Sequence, residues 1–258
     1  MKRLLLSLAM VLALAAPSFA AEDIVVGVTP FPHKDIMLAA KPLLAKEGYN
    51  LVIKEFTDYV QPNMALASKQ LFANFFQHEP YLDNMNKEKK LDLVSIGKVH
   101  IEPLGVYSKK IKKLADLKKG NSISVPNDPT NEARALRLLE ANGVIAIKPG
   151  ALVTVADITK NPLGLKFHEL DAAQLPRTLD DVTASVINTN FAGEAGLVPS
   201  RDALVMEGSE SPYANIIVVR NEDKDSPKAK ALMKAVQSPE VKEYIQKNLV
   251  ERGIVPVF

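Results

Sequence analysis

Rings and amides are interleaved between Tyr59 and Asp83, YVQPNMALASKQLFANFFQHEPYLD. This stretch holds Tyr59, Phe72, Phe75, Phe76 and Tyr81, five of fifteen aromatic residues in a chain with six Tyr, nine Phe and no Trp. Gln61, Asn63, Asn74, Gln77 and His78 lie among them. Such a mixture suits a small ligand with one apolar end and one polar end. An ordinary core strand carries the rings without the amides.

A second group of residues offers anion chemistry. In SVPNDPTNEAR, residues 124–134, a strand ends, Asp128 can cap a helix, and Pro129 fits its first position. Free N–H groups and the positive dipole end make such a terminus an anion site. Arg134 follows within about two turns, where a guanidinium can take a carboxylate bidentately. Arg137, three residues on, reads as a surface residue. Asn188 and Asn190 in VINTNF end another strand, where open α/β sheets bind ligands. Asn215 interrupts the apolar run of YANIIVVR, and a buried Asn needs hydrogen-bond partners.

Catalytic patterns are absent: no G-x-S-x-G, no P-loop and no G-x-G-x-x-G occurs. His78 is the one candidate base, and a lone His among rings is more often a pocket wall. If the strand continues through it, Gln77 and Glu79 point to the opposite face. His33, His78, His100 and His168 lack metal-ligand spacing, and the chain has no cysteine, so no metal site is expected.

The elements that position these residues alternate in period. Ile24 to Val28 is a continuous apolar run, as in a strand buried on both faces. Asp35 to Lys46 has helical spacing and stops before Gly48. Asn50 to Phe56 reads as a strand, Pro62 to Lys69 as a helix and Leu71 to Phe76 as a strand. This order predicts a parallel sheet covered by helices. Leu91 to Tyr107 is strand-like but broken near Glu102-Pro103. A second series runs through Ser122 to Val125, the helix Pro129 to Asn142, Lys166 to Leu170, the short helix Leu175 to Asp180, and Ala184 to Asn188. Tyr213 to Arg220 is a strand, and Ser226 to Gln237 and Pro239 to Asn248 are amphipathic helices. Two α/β series predict two lobes, with the second embedded in the first. The expected division is 21–104 plus 206–258 for lobe 1 and 105–205 for lobe 2, with crossings near 103–108 and 204–218. Two such crossings allow hinge closure over a ligand.

Composition limits the rest. Lys2 and Arg3 precede an apolar run, Leu4 to Ala16, too short to span a bilayer, and Ala20-Ala21 fits a signal-peptidase cut. Residues 1–20 therefore read as a signal peptide. The net charge of +2 falls to zero without Lys2 and Arg3, which is no footprint for nucleic acid.

DYVQPN, LFANFFQHEPYLD, VPNDPTNEARALRLLE, VINTNFA and SPYANIIVVR, in this order, resemble the NlpA/MetQ family of methionine-binding proteins of bacterial ABC importers. The resemblance runs from about Ile24 to the C-terminus. It implies a two-lobed periplasmic-binding fold, type II-like, with methionine in the interlobe cleft. By resemblance, Tyr59, Phe76, His78 and Tyr81 enclose the thioether, and Arg134 pairs with the ligand carboxylate. Asn215, with Asn188 or Asn190, holds the amino and carboxylate groups. The implied partners are methionine and the permease and ATPase subunits of the importer, with a monomeric binding protein and no cofactor. The family's members are commonly lipoproteins anchored through a cysteine. With no cysteine present, release into the periplasm without lipidation is expected. The alternatives are D-methionine, a Met-containing dipeptide, another amino acid, a zinc carrier, or an enzyme on the same fold.

Overall fold

The computed structural model describes residues 21–208 and 212–258. The signal-peptide expectation for 1–20 lies outside the described residues. In chain order the elements begin β1 (Glu22–Val28), α1 (Asp35–Lys46), β2 (Tyr49–Glu55), α2 (Gln61–Ala67), β3 (Ala73–His78), α3 (Glu79–Lys89) and β4 (Leu93–Ile101). There follow β5 (Gly105–Tyr107), β6 (Ser122–Pro126), α4 (Pro129–Ala141), β7 (Ala146–Ile147), β8 (Ile158–Lys160), β9 (Lys166–Leu170), β10 (Ala184–Ile187), α5 (Thr189–Glu194), α6 (Pro199–Asp202) and β11 (Ala203–Met206). The chain closes with β12 (Ala214–Arg220), α7 (Pro227–Val236), α8 (Pro239–Asn248) and β13 (Val255–Pro256). Short 3-10 turns, one over Ala172–Asp180, link these.

The strands form two main sheets, ordered β13-β4-β12-β3-β1-β2 and β11-β5-β10-β6-β9, beside a small β7-β8 pair. In the first sheet β1 pairs in parallel with β2 and β3, as the β-α-β-α-β order predicts. It is nevertheless mixed, because β12 returns from the second sheet and pairs antiparallel with both β3 and β4. The second sheet is mixed for a similar reason: β6, β9 and β10 are parallel, while β5 runs against β10 and β11.

Period-two alternation explains how the first sheet is covered on both faces. In β12, Ile217 and Val219 enter a core with Val26, Phe75, Leu232 and Ile245, whereas Ile216 and Val218 pack with Leu66, Leu71 and Leu82. Helices α1, α7 and α8 therefore cover one face, and α2 and α3 the other. Separate clusters, one around Ile123, Val125, Leu136 and Val186 and another around Leu175, Ile187 and Phe191, serve the second sheet.

Two expected details differ. The strand does not continue past His78: that residue caps α3, its Nδ1 accepting the Tyr81 N–H at 3.2 Å. Glu79 and Pro80 then fill first-turn positions that suit an acid and a proline, so Gln77 and Glu79 are not paired across a strand. The stretch taken as strand through Asn188 ends at Ile187, and Asn188 is instead the residue at the start of α5.

Candidate functional site

The carboxyl ends of β3 and β10, the amino end of β12 and the first turns of α4 and α5 converge on one cavity. Tyr59, Phe76, His78, Tyr81, Arg134, Asn188, Asn190 and Asn215 all line it. The eight residues singled out in the sequence are thus brought to one place. Gln77, Glu102, Asn131 and Thr189 line it as well. The signal for Asn131 was its place in the first turn after Asp128. Glu102 carried none beyond breaking a strand-like run.

The ring side is a triangle. Centroids of Tyr59, Phe76 and Tyr81 stand 5.9, 5.9 and 6.0 Å apart, with His78 at 6.2 Å from Tyr81. These tilted and edge-on contacts suit aromatic quadrupoles and leave ring edges for a soft apolar group. Tyr59 also reaches the second sheet: its ring lies 4.9 Å from Phe191, and its hydroxyl donates to Asn190 Oδ1 at 2.6 Å. Burial pushes the Tyr59 hydroxyl well above the usual range and lowers His78 to about 3, with the Arg134 charge second in the case of His78. Both are therefore neutral at physiological pH.

Not every ring and amide of the stretch faces the cavity. Phe75 is fully buried in the core. Asn63 and Asn74 do not line the cavity and hydrogen-bond each other and the Gln77 side chain at 2.7–2.9 Å. These amides hold α2 against β3.

The polar side is oriented by a chain of hydrogen bonds that begins outside the cavity. Asp128, an acceptor, takes the Asn131 side-chain N–H at 3.0 and 3.1 Å. Asn131 must then present Oδ1 to its neighbours, so His78 Nε2 at 3.2 Å and Asn188 Nδ2 at 3.1 Å both donate to it. This fixes the His78 tautomer and leaves Asn188 Oδ1 as a buried acceptor without a partner among the described residues. Asn190 is the converse: its Oδ1 accepts from Tyr59, and its buried Nδ2 has no partner there.

Asn215 is set from behind. His33 Nε2 lies 3.0 Å from Asn215 Oδ1 and 3.2 Å from Glu102 Oε1, both acceptors, so Nε2 carries the hydrogen. Asn215 therefore offers its N–H₂ elsewhere, as a donor. Arg134 stacks over the Tyr213 ring at 4.2 Å and donates from Nη2 to the Glu102 main-chain carbonyl at 2.8 Å. Its Nε and Nη2 grip Glu207 at 2.5–3.1 Å. The bidentate carboxylate partner of this guanidinium is thus Glu207 of its own chain, and Nη1 is the nitrogen left over. The site so offers donors at Arg134, Asn190 and Asn215, acceptors at Asn188 and Glu102, and the rings of Tyr59, Phe76 and Tyr81.

Behind Asn215 the fold joins residues whose spacing gave no metal signal. Nitrogen and oxygen atoms of His33, His100 and Glu102 lie within 4.8 Å of one another, the one such group among the described residues. His100 Nε2 meets Glu102 Oε1 at 2.7 Å. Burial lowers His33 to about 4 and His100 to about 3, and raises Glu102. The Nε2 atom of each ring is already engaged, that of His100 by the carboxylate and that of His33 by Asn215.

A sequence model described as NlpA lipoprotein matches residues 24–258. A D-methionine-binding lipoprotein of Salmonella typhi is 47% identical over 210 residues, covering 79% of this chain and 78% of the relative. The solved structure of a nutrient-binding protein from Burkholderia cenocepacia bound to methionine is 51% identical, covers 91% of this chain and 100% of that one, and has a TM-score of 0.88. A periplasmic substrate-binding protein of an ABC transporter from Coxiella burnetii is 47% identical over 91% of this chain and 100% of its own, with a TM-score of 0.87. The fold is therefore the two-lobed α/β periplasmic-binding type. These findings also correct an expectation. Release into the periplasm without lipidation rests on the lack of a cysteine. The matching family and the Salmonella relative are both named lipoproteins, which overturns it.

Proposed function

The chain belongs to the NlpA lipoprotein family, and from that premise we propose that it captures methionine and delivers it to the permease and ATPase subunits of an ABC importer, acting as a monomeric binding protein and not an enzyme. One observation carries this reading. One cavity is lined by a ring triangle and by Asn190 and Asn188, whose Nδ2 donor and Oδ1 acceptor have no partner among the described residues. A zwitterionic amino acid needs both signs of hydrogen-bonding partner, and a thioether gains about 0.3–1.5 kcal/mol from each ring-edge contact. In this reading Tyr59, Phe76, His78 and Tyr81 enclose the side chain. Arg134, Asn190 and Asn215 face the carboxylate, and Asn188 the amino group. The names of the Burkholderia, Coxiella and Salmonella relatives support methionine and an ABC transporter.

The lobes are read as 21–104 with 206–258, and 105–205. Sheet membership supports this division, with crossings between Ile101 and Gly105 and between Met206 and Ala214. Met206 itself ends β11, so the second crossing begins one residue later than the sequence division places it.

Calorimetric titration with each methionine enantiomer tests the reading, because the Salmonella relative is named for the D form. Heat with at least one enantiomer is expected. Arg134→Ala should weaken binding by about tenfold or more, the loss of a hydrogen bond to a charged group. No heat with either enantiomer, or full-strength binding by the variant, would overturn the ligand or the carboxylate assignment respectively.

A further inference from the structure

Arg134 and Glu102 are the two charged residues among those lining the cavity. They are balanced unequally. Arg134 has an ionic partner in Glu207. Glu102 has hydrogen-bond donors but no cation bonded to its carboxylate among the described residues. Arg134 reaches only its main-chain carbonyl. His33 and His100, whose Nε2 atoms meet Oε1 at 3.2 and 2.7 Å, are held neutral by burial. A carboxylate has about four lone-pair sites, and the hydrogen bond from His100 leaves the others for a ligand. Burying a carboxylate without an opposite charge is costly, and the residue is only 6% exposed. Asn188, whose Oδ1 is the other unpaired acceptor, lines the same cavity.

We propose that Glu102, held in place by His33 and His100, supplies the counter-charge for the ligand's ammonium group and so restricts the site to ligands with a free α-amino group. Asn188 Oδ1 adds a neutral acceptor for the same group. The two histidines are positioning residues: His100 presents its N–H to the carboxylate, while His33 sets the Asn215 amide and stands 3.2 Å from the same carboxylate oxygen, and neither cancels the charge. A free carboxylic acid with the same thioether tail lacks the ammonium and leaves Glu102 unpaired.

This rests on the amino-acid reading of the cavity, and the test separates the two. Wild-type protein and Glu102→Gln are titrated with methionine and with 4-(methylthio)butanoic acid, which keeps the thioether and carboxylate but has no amino group. Wild type should prefer methionine by about 100-fold, the scale of a charged hydrogen bond with its desolvation. In Glu102→Gln that preference should shrink by about tenfold or more, through loss of methionine affinity and not of analogue affinity. Equal affinity of wild type for the two compounds, or an unchanged preference in the variant, overturns the role of Glu102. Failure of wild type to bind methionine overturns the amino-acid reading instead. Thermal melting of the ligand-free variant checks its folding. If it does not fold, Glu102→Asp and His100→Asn are read on the same ratio, with a reduced preference expected in each and an unchanged one counting against the proposal.

Discussion

The ring wall comes from one continuous stretch, Tyr59 to Tyr81, whereas the polar wall is gathered from Glu102, Asn131 to Arg134, Asn188 to Asn190 and Asn215. The rings touch one another at centroid distances near 6 Å, and Tyr59 also meets Phe191 at 4.9 Å. Asn188 and Asn190 of the polar wall are each half-satisfied by the protein, with one acceptor or donor face left over. Dispersion contacts are individually weak and tolerant of shape, while a misdirected amide leaves two buried groups unpaired. The ring wall should therefore bend under substitution, and the polar wall should break.

The largest contrast is expected at Asp128, which does not line the cavity. Its carboxylate fixes the Asn131 amide and caps α4 by accepting the Asn131 main-chain N–H at 3.0 Å. Asp128→Ala frees Asn131 to turn over, and His78 and Asn188 lose their common acceptor. Methionine affinity should fall by about tenfold, the weight of a misdirected buried hydrogen bond. Loss of the cap should lower stability by about 1 kcal/mol. Titration and denaturant unfolding read the two effects separately. Unchanged affinity in a folded variant would show that the amide chain does not control the polar wall.

Phe76→Leu probes the other wall and should do less. One ring-edge contact of at most about 1.5 kcal/mol is lost and partly replaced by aliphatic packing, so affinity should fall by about two- to tenfold. A loss exceeding that of Asp128→Ala would reverse the contrast between the walls.

The same difference explains what the sequence reveals. The ring wall is contiguous, so its chemistry is visible as composition. Arg134 is legible because a cap, a proline and a helix start mark its surroundings. Glu102 is not, since it lies between strands β4 and β5 beside His100, which strand pairing sets opposite Asn215, and His33, which the turn before α1 brings against Phe75. Helix α3 escapes pattern reading because EPYLDNMNKEK buries only Tyr81, Leu82 and Met85. The β-α order predicts the parallel half of the first sheet. It gives no register for β12, whose antiparallel pairing places Asn215 opposite both His78 and His100.

The smallest effect is expected where α5, which follows Asn188 and carries Asn190, meets the segment before α1. Gly193 lies against the Phe31 ring so closely that an added Cβ would stand 2.5 Å from it, and the Arg252 guanidinium covers that ring at 3.8 Å. Beside it, Glu194 is raised to about 7, by burial first and by the Glu102 and Glu55 charges, against a lowering main-chain bond from Phe31. The folded value exceeds the ordinary 4.5, so the folded state binds the extra proton. The stabilising contribution is complete below about pH 4.5 and is lost as pH rises through about 7. Glu194→Gln cannot lose it. The variant should match wild type near pH 5 and exceed it at pH 8, by no more than about 1 kcal/mol because the side chain remains exposed. Melting curves from pH 5 to 8 read the difference, and parallel pH profiles would show that this junction does not sense the Glu194 charge.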